Sequence, residues 1–323
     1  MSATPNPAPA PRASGLLVHR FAVATAAATL ALVLAGALVT SKDAGLAVPD
    51  WPTTYGYNMF TYPLSKMEGG ILYEHGHRLL GSFVGLLTVA LALLVFLREK
   101  RRSVRAMAGA AVMLVVVQGV LGGLRVTRLD IDLAVVHGSV AQGFFSLVVL
   151  LAVVTHPRFA GWPRGPLAGD GARLRPLALV VAALAYVQVV AGALLRHRGA
   201  RLDAHVLLAL LLTAAIGALA FRAALPRSGG SPAPKPLVAA SLALAGLVVL
   251  QLFLGLGSWA TTFAGAGVEA GSAIEVAFTV AHVAVGALLL ATAMTTALLS
   301  LRLLGRAEGV ASIDRLRAAE GSL

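Results

Sequence analysis

Residues 71–97 read ILYEHGHRLLGSFVGLLTVALALLVFL, in which a polar start, Glu74-His75-Gly76-His77-Arg78, runs into an uncharged apolar stretch that ends at Leu97. A bilayer core about 30 Å thick is crossed by about 20 apolar residues in a helix, so this stretch predicts a membrane span with ionisable groups in its first turns. Seven more stretches meet the same test, giving spans at about residues 20–41, 71–97, 104–124, 131–155, 175–195, 202–224, 236–257 and 274–302, with ends good to roughly 2 to 4 residues. Composition agrees: 58% of the 323 residues are hydrophobic and 12% charged. Mean hydropathy is +0.84. A soluble domain has no room to hide that much apolar surface. The predicted class is an all-α integral membrane protein with eight transmembrane helices.

The formal charge of +12 is explained by topology. Of the 26 Lys and Arg, 18 flank the side that carries both termini, 7 flank the other side, and Arg78 lies inside a helix. The positive-inside rule then places both termini in the cytoplasm of a multi-pass cell-membrane protein. A nucleic-acid groove would need basic residues interleaved with aromatics on a soluble face, and the sequence has none, so no nucleic-acid partner is expected. Membrane lipid is the expected surrounding. The chain contains no cysteine, which removes disulfides and thiolate ligands from consideration. Residues 1–19, rich in Pro and Ala, read as a disordered tail. The first apolar run is too long for a signal peptide and carries a motif repeated later, so it reads as a span.

That motif closes the odd-numbered spans: Gly36-Ala37-Leu38-Val39, Gly122-Gly123-Leu124-Arg125, Gly192-Ala193-Leu194-Leu195 and, more loosely, Gly255-Leu256-Gly257-Ser258. Gln118, Gln188 and Gln251 each precede the glycine by four residues. After each odd span an outer loop leads into an even span with a histidine in its first two turns: His77, His137, His205 and His282. The chain therefore reads as four helix-loop-helix units grouped into two pseudo-symmetric four-helix bundles. The glycines fit close helix packing in lipid, or room for a flat macrocycle. The glutamines fit bonds between helices or to the edge of a ligand.

Ionisable side chains at membrane depth are rare and mark function. A single interfacial histidine is ordinarily a hydrogen-bonding residue, but four in register need a common reason. Two imidazoles at equal depth on neighbouring helices can supply both axial ligands of one haem iron, so each half makes one site on the outer side. Zinc fits less well, because no compact His, Cys or carboxylate cluster accompanies them. His19, His156 and His197 fall outside the pattern. His75 and His77 are two apart and point to different faces. His77 is the chosen ligand because Glu74 lies on its face, three residues earlier, and Arg78 follows it.

Tyr73-Glu74-His75-Gly76-His77-Arg78-Leu79-Leu80, the loop Gly45-Leu46-Ala47-Val48-Pro49-Asp50-Trp51-Pro52, and His137-Gly138-Ser139 together resemble the haem A synthase family, over about residues 20–302. The resemblance implies oxidation of the C8 methyl of haem O, by successive steps through an alcohol and a hydrated aldehyde, to the formyl group of haem A for terminal oxidases. It implies that His77 and His137 hold the substrate haem, that His205 and His282 hold haem b, and that Glu74 is the catalytic carboxylate. The other three histidines are preceded at that spacing by Ala134, Leu202 and Thr279, so only the first half offers an acid there. Glu74 can also be read as a first-turn acid complementing the helix dipole, as Asp203 and Glu275 can. The implied domains are a first half at 20–160 with the substrate site, a cytoplasmic linker at 161–174, a second half at 175–302 with haem b, and a cytoplasmic tail at 303–323.

One branch of the family has a cysteine pair in its first outer loop. Here residues 42–70 instead gather Trp51, Tyr55, Tyr57, Phe60 and Tyr62, an interfacial belt or a lid over a farnesyl-bearing substrate. Arg78 and Arg125 are the candidates for haem propionates at the first site, and Arg196 and Arg201 at the second, because a guanidinium pairs carboxylates bidentately. Expected partners are haem O, handed over by a haem O synthase, and an electron acceptor that the sequence does not identify. A homo-oligomer is compatible with the sequence. The competing reading is a di-haem membrane cytochrome b that only transfers electrons, which leaves Glu74 and the aromatic loop without a task. A transporter would require broken helices or midplane charges, which the sequence lacks.

Overall fold

The computed structural model describes residues 13–159, 161–162, 165–166, 171–225, 233–264 and 267–305. Eight helices carry the chain: α1 (Ala13–Ser41), α2 (Gly69–Arg98), α3 (Arg102–Arg128), α4 (Ile131–Thr155), α5 (Gly171–Arg198), α6 (Leu202–Ala224), α7 (Lys235–Thr262) and α8 (Ala273–Leu303). All eight contain a stretch long and apolar enough to cross a membrane, and the protein is a multi-pass membrane protein. The helices outrun the apolar spans. At 1.5 Å per residue the 30 residues of α2 reach roughly 45 Å, the depth of core plus headgroups, a length that lets its basic end, Arg98, extend past a hydrocarbon core of about 30 Å.

The chain forms two compact units, Met1–Gly161 and Trp162–Leu323. Within the first, α1 packs on α2 and α4, and α3 packs on the same two helices. Within the second, α5 packs on α6 and α8, and α7 packs on the same two. The most enclosed spans are α4 and α8, with 50% and 39% of their apolar windows buried against 17% in α3. Large apolar side chains such as Leu86, Leu97, Phe221 and Val249 point outward, as a lipid solvent allows. Hydroxyls inside the bundles are satisfied locally: Thr25, Thr88, Ser139 and Thr296 each donate to the carbonyl four residues earlier.

Helix starts at the loops are set by short polar signals. Asp130 caps α4 by accepting from the Asp132 N–H. Ser272 caps α8 by accepting from the Glu275 N–H, while the Glu275 carboxylate accepts from the Gly271 N–H, one residue before the cap. Leu129 and Arg201 take left-handed backbone conformations at the tight α3–α4 and α5–α6 junctions.

The sequence reading needs one correction and one addition. The helix α1 begins at Ala13, so residues 13–19, expected in a disordered tail, continue the span. Val18 is buried and His19 Nδ1 bonds the Ala152 carbonyl, anchoring this extra length on α4. The loop between α1 and α2 also holds a small antiparallel hairpin, β1 (Thr53–Thr54) with β2 (Tyr57–Asn58), and a 3-10 turn at Leu64–Lys66. The remainder of the expected tails, residues 1–12 and 306–323, and residues 163–164 and 167–170 of the expected linker lie outside the described residues, while its last four residues, 171–174, belong to α5.

Candidate haem-ligand pairs and the outer loop

The polar start of α2 is tied to the loop before it. The Glu74 carboxylate accepts from the Val48 N–H at 2.8 Å through Oε2 and from Arg78 Nη2 at 2.7 Å through Oε1. Arg78 also donates to the carbonyls of Val48, Asp50 and Thr53. Glu74 and Arg78 thereby stitch residues 48–53 onto α2, a pairing their i, i+4 spacing allows. His75 faces the same way: it is buried, its Nδ1 lies 3.0 Å from Thr54 Oγ1, and the Tyr62 ring packs on it at 5.1 Å. It anchors the loop, while His77 points elsewhere.

The loop has its own internal frame. Asp50 accepts from the Thr53 hydroxyl and from the N–H groups of Tyr55 and Gly56. Partial burial raises its pKa, but these donors outweigh burial and hold the carboxyl below the ordinary carboxylate value. Tyr62 contacts Tyr55 and Tyr57 ring to ring. The Trp51 ring fills the space above Gly123, where a Cβ would come within 2.3 Å of it. The aromatic loop is thus seated on α3 beside His137's helix.

The four histidines meet in two pairs. Ring centres of His77 and His137 are 6.5 Å apart at an interplanar angle of 81°, and those of His205 and His282 are 6.4 Å apart at 67°. Each ring rests on the glycine that the repeat predicts. A Cβ would stand 3.0 Å from His77 Cε1 at Gly36, 3.3 Å from His137 Cε1 at Gly122, 3.1 Å from His205 Cε1 at Gly192 and 2.9 Å from His282 Cε1 at Gly255. Those glycines make room for imidazoles, a role the sequence reading did not consider; it was legible as a glycine partner for every histidine.

Do these pairs fit a haem? Two axial imidazoles, each bonded at about 2 Å with a ring radius of roughly 1.2 Å, set their ring centres about 6 Å apart, close to both observed values. Nδ1 of His77 and of His282 is buried without a hydrogen bond. Among the described residues no three His, Cys, Asp or Glu side chains gather as a metal cluster. A haem needs only two donors from the protein, because its macrocycle supplies the other four. The residues present fit that group.

The candidate arginines differ in surroundings. Arg78 spends its two terminal nitrogens on the loop and Glu74. Arg125 makes no hydrogen bond to the protein among the described residues; its guanidinium lies against Gly45, and its charge acts on Glu74, His77 and His137. The charge of Arg196 acts on Glu275 and His282. Arg201 is exposed and sits 3.5 Å from the exposed Asp203, a weak ion pair one turn before His205.

Comparison with known proteins places this arrangement. The profile of a family described as cytochrome oxidase assembly protein matches residues 19–206. The haem A synthase of Alkalihalophilus pseudofirmus is 26% identical over 185 residues, covering 56% of this chain and 60% of that protein. The haem A synthase of Symbiobacterium thermophilum is 30% identical over 190 residues, 55% of this chain and 58% of its own. A protohaem IX farnesyltransferase of Haloarcula marismortui is 35% identical over 127 residues, 39% of this chain and 26% of that enzyme. The matched segments thus span between about a quarter and three fifths of these relatives. The family match includes His77, His137 and His205 and ends before His282.

Proposed function

Because the chain belongs to the cytochrome oxidase assembly protein family, which includes the haem A synthases, we propose that it is an oxidoreductase converting the C8 methyl of haem O to the formyl group of haem A. His77 and His137 are the ligands of the substrate haem, and His205 and His282 those of a resident haem b. The observation that carries this reading is the asymmetry of two otherwise similar pairs: a carboxylate, Glu74, stands three residues before the first ligand and nowhere equivalent beside the others. In this reading the two units are copies of one bundle, both termini are cytoplasmic, and the pairs lie toward the outer side.

A haem b at the second pair supplies one-electron chemistry, and the protein supplies binding, orientation and electrostatics. Glu74 is fixed in place by the Val48 N–H and Arg78 and acts as the acid or base beside the substrate. Arg125, with open donors, binds a propionate of the first haem; Arg78 holds the loop through which that site is covered; Arg196 and Arg201 serve the second haem. The aromatic loop covers the farnesyl-bearing edge. The matched segment of the Haloarcula farnesyltransferase supports a substrate delivered by a farnesyl-transfer reaction on protohaem IX.

Pigment extraction from cells that make haem O, with and without the protein, tests the reading. Haem A and its alcohol precursor are expected only with the protein. Their absence despite good expression and bound haem rejects the synthase assignment and leaves the electron-transfer alternative.

A further inference from the structure

Arg125 and Glu74 hold one corner of the first histidine pair. Arg125 stands three residues beyond Gly122, the seat of His137, and Glu74 three residues before His77. At 1.5 Å per residue each lies one turn, about 4.5 Å, toward the loop end from the ring it accompanies. One stretch of loop joins them. Gly45 rests on the Arg125 guanidinium, where a Cβ would run into Nη2, and three residues further on the Val48 N–H donates to Glu74. The chain between those two points spans at most about 11 Å, and the charge of Arg125 acts on Glu74 and on both rings.

The matching positions elsewhere carry no such pair. On α1 and α4 of the same unit they are Val39 and Ala134, both buried. In the second unit they are Leu195, Leu202, Ser258 and Thr279, and its own cation and acid, Arg196 and Glu275, lie one residue and about one turn further out. The loop-side edge of the first site is therefore charged where α2 meets α3 and apolar where α1 meets α4. Arg125 is half-buried and makes no hydrogen bond among the described residues, so its desolvated donors call for an anion.

A haem carries its propionates at C6 and C7 on adjacent pyrroles, and each of those pyrroles also bears a methyl, C5 beside C6 and C8 beside C7. Turning the macrocycle over exchanges the two pyrroles. A corner that sets a guanidinium next to a carboxylate therefore presents one methyl or the other according to which propionate the guanidinium takes. Resting on the synthase reading above, in which C8 reacts beside Glu74, we propose that Arg125 determines which methyl is presented: it takes the C7 propionate and so turns the C8 methyl of the same pyrrole, rather than C5, toward Glu74. Val39 and Ala134 offer the C6 propionate no partner, so that carboxylate contributes little to binding. The farnesyl-bearing chain at C2 changes sides when the macrocycle turns over, which gives the substrate a second means of favouring one orientation.

The test titrates the purified full chain, in lipid nanodiscs and with protohaem already in its second site, with haem O, its C6 monomethyl ester and its C7 monomethyl ester. The low-spin Soret band of the first site is followed. The C7 ester binds about ten-fold or more weaker than haem O, the loss of a charge-assisted bond, and the C6 ester nearly as well as haem O. Arg125→Leu weakens haem O by a similar factor and binds the two esters alike, while an unchanged second-site band reports that the chain is folded. If that band is lost, Gly45→Ala, which displaces the guanidinium and leaves its charge, decides by the same criterion. Equal affinities for the two esters in the parent chain, a preference for the C7 ester, or discrimination that survives in the variant overturn the proposal while haem binding stands. Failure of the parent chain to bind haem O at all overturns the haem assignment itself.

Discussion

Glu74 and His75 are adjacent, both buried, and turned to the loop, while His77 faces its partner on α4. Successive helical residues are separated by about 100°, so positions 75 and 77 differ by roughly 200° in direction. That difference is readable in the sequence; which of the two faces the bundle is not, because it depends on where Thr54 and Tyr62 fold back. The carboxylate is therefore open to two tests of role. Glu74→Gln keeps the shape and an acceptor for the Val48 N–H but removes the acid. Conversion of haem O should fall about 10²- to 10⁴-fold, with the second-site haem spectrum unchanged, as read by pigment analysis and difference spectra on one preparation. Full turnover in this variant would reduce Glu74 to a loop anchor. Gly255→Ala addresses the other pair. Its Cβ would stand 2.9 Å from His282 Cε1, inside any real contact distance. The ring must move, and the low-spin signal of the second haem should drop several-fold while the first site still fills; an unaltered spectrum would show that the ring has slack the structure does not suggest.

At the scale of elements, helices were legible and the loop was not. Uninterrupted apolar runs with basic flanks specify spans whatever the tertiary context, which is why all eight appear with ends shifted only outward. Residues 42–68 hold too many aromatics and turn formers for periodicity to speak, and their order comes from long-range bonds: Arg78 to three carbonyls and Asp50 to two N–H groups and a hydroxyl. The glutamines were half legible, since the spacing of Gln118, Gln188 and Gln251 was visible but their targets, His137, His205 and His282, were not. Asp50 gives the loop a pH dependence. Its folded pKa lies below the ordinary 3.8, so its contribution is complete above that value and is lost as pH falls through the lower folded one. In a chain with Trp162→Phe and Trp259→Phe, Trp51 fluorescence should therefore report loop opening with a midpoint below 3.8. Asp50→Asn should abolish that transition. A transition that survives the substitution assigns it to another group.

For the molecule as a whole, the distribution of charge and the position of the histidines constrain one another. Each even-numbered helix follows an odd one and carries its histidine near its start, so all four histidines share one side of the membrane only if every span crosses fully. The same alternation puts 18 of the 26 basic residues opposite that side. If α2, α3, α6 or α7 were re-entrant, the histidine after it would change sides and the pair of that unit would be split. The geometry within each unit argues against splitting, because His77 meets His137 and His205 meets His282 at the same separation to within a tenth of an ångström. Periplasmic phosphatase fused into the 59–62 loop tip should be active, and the same enzyme fused after Leu323 should be silent. A cytoplasmic fluorescent reporter should give the reverse pattern. Activity of the phosphatase at both places would mean an odd number of crossings, so that at least one of the eight helices does not span the membrane.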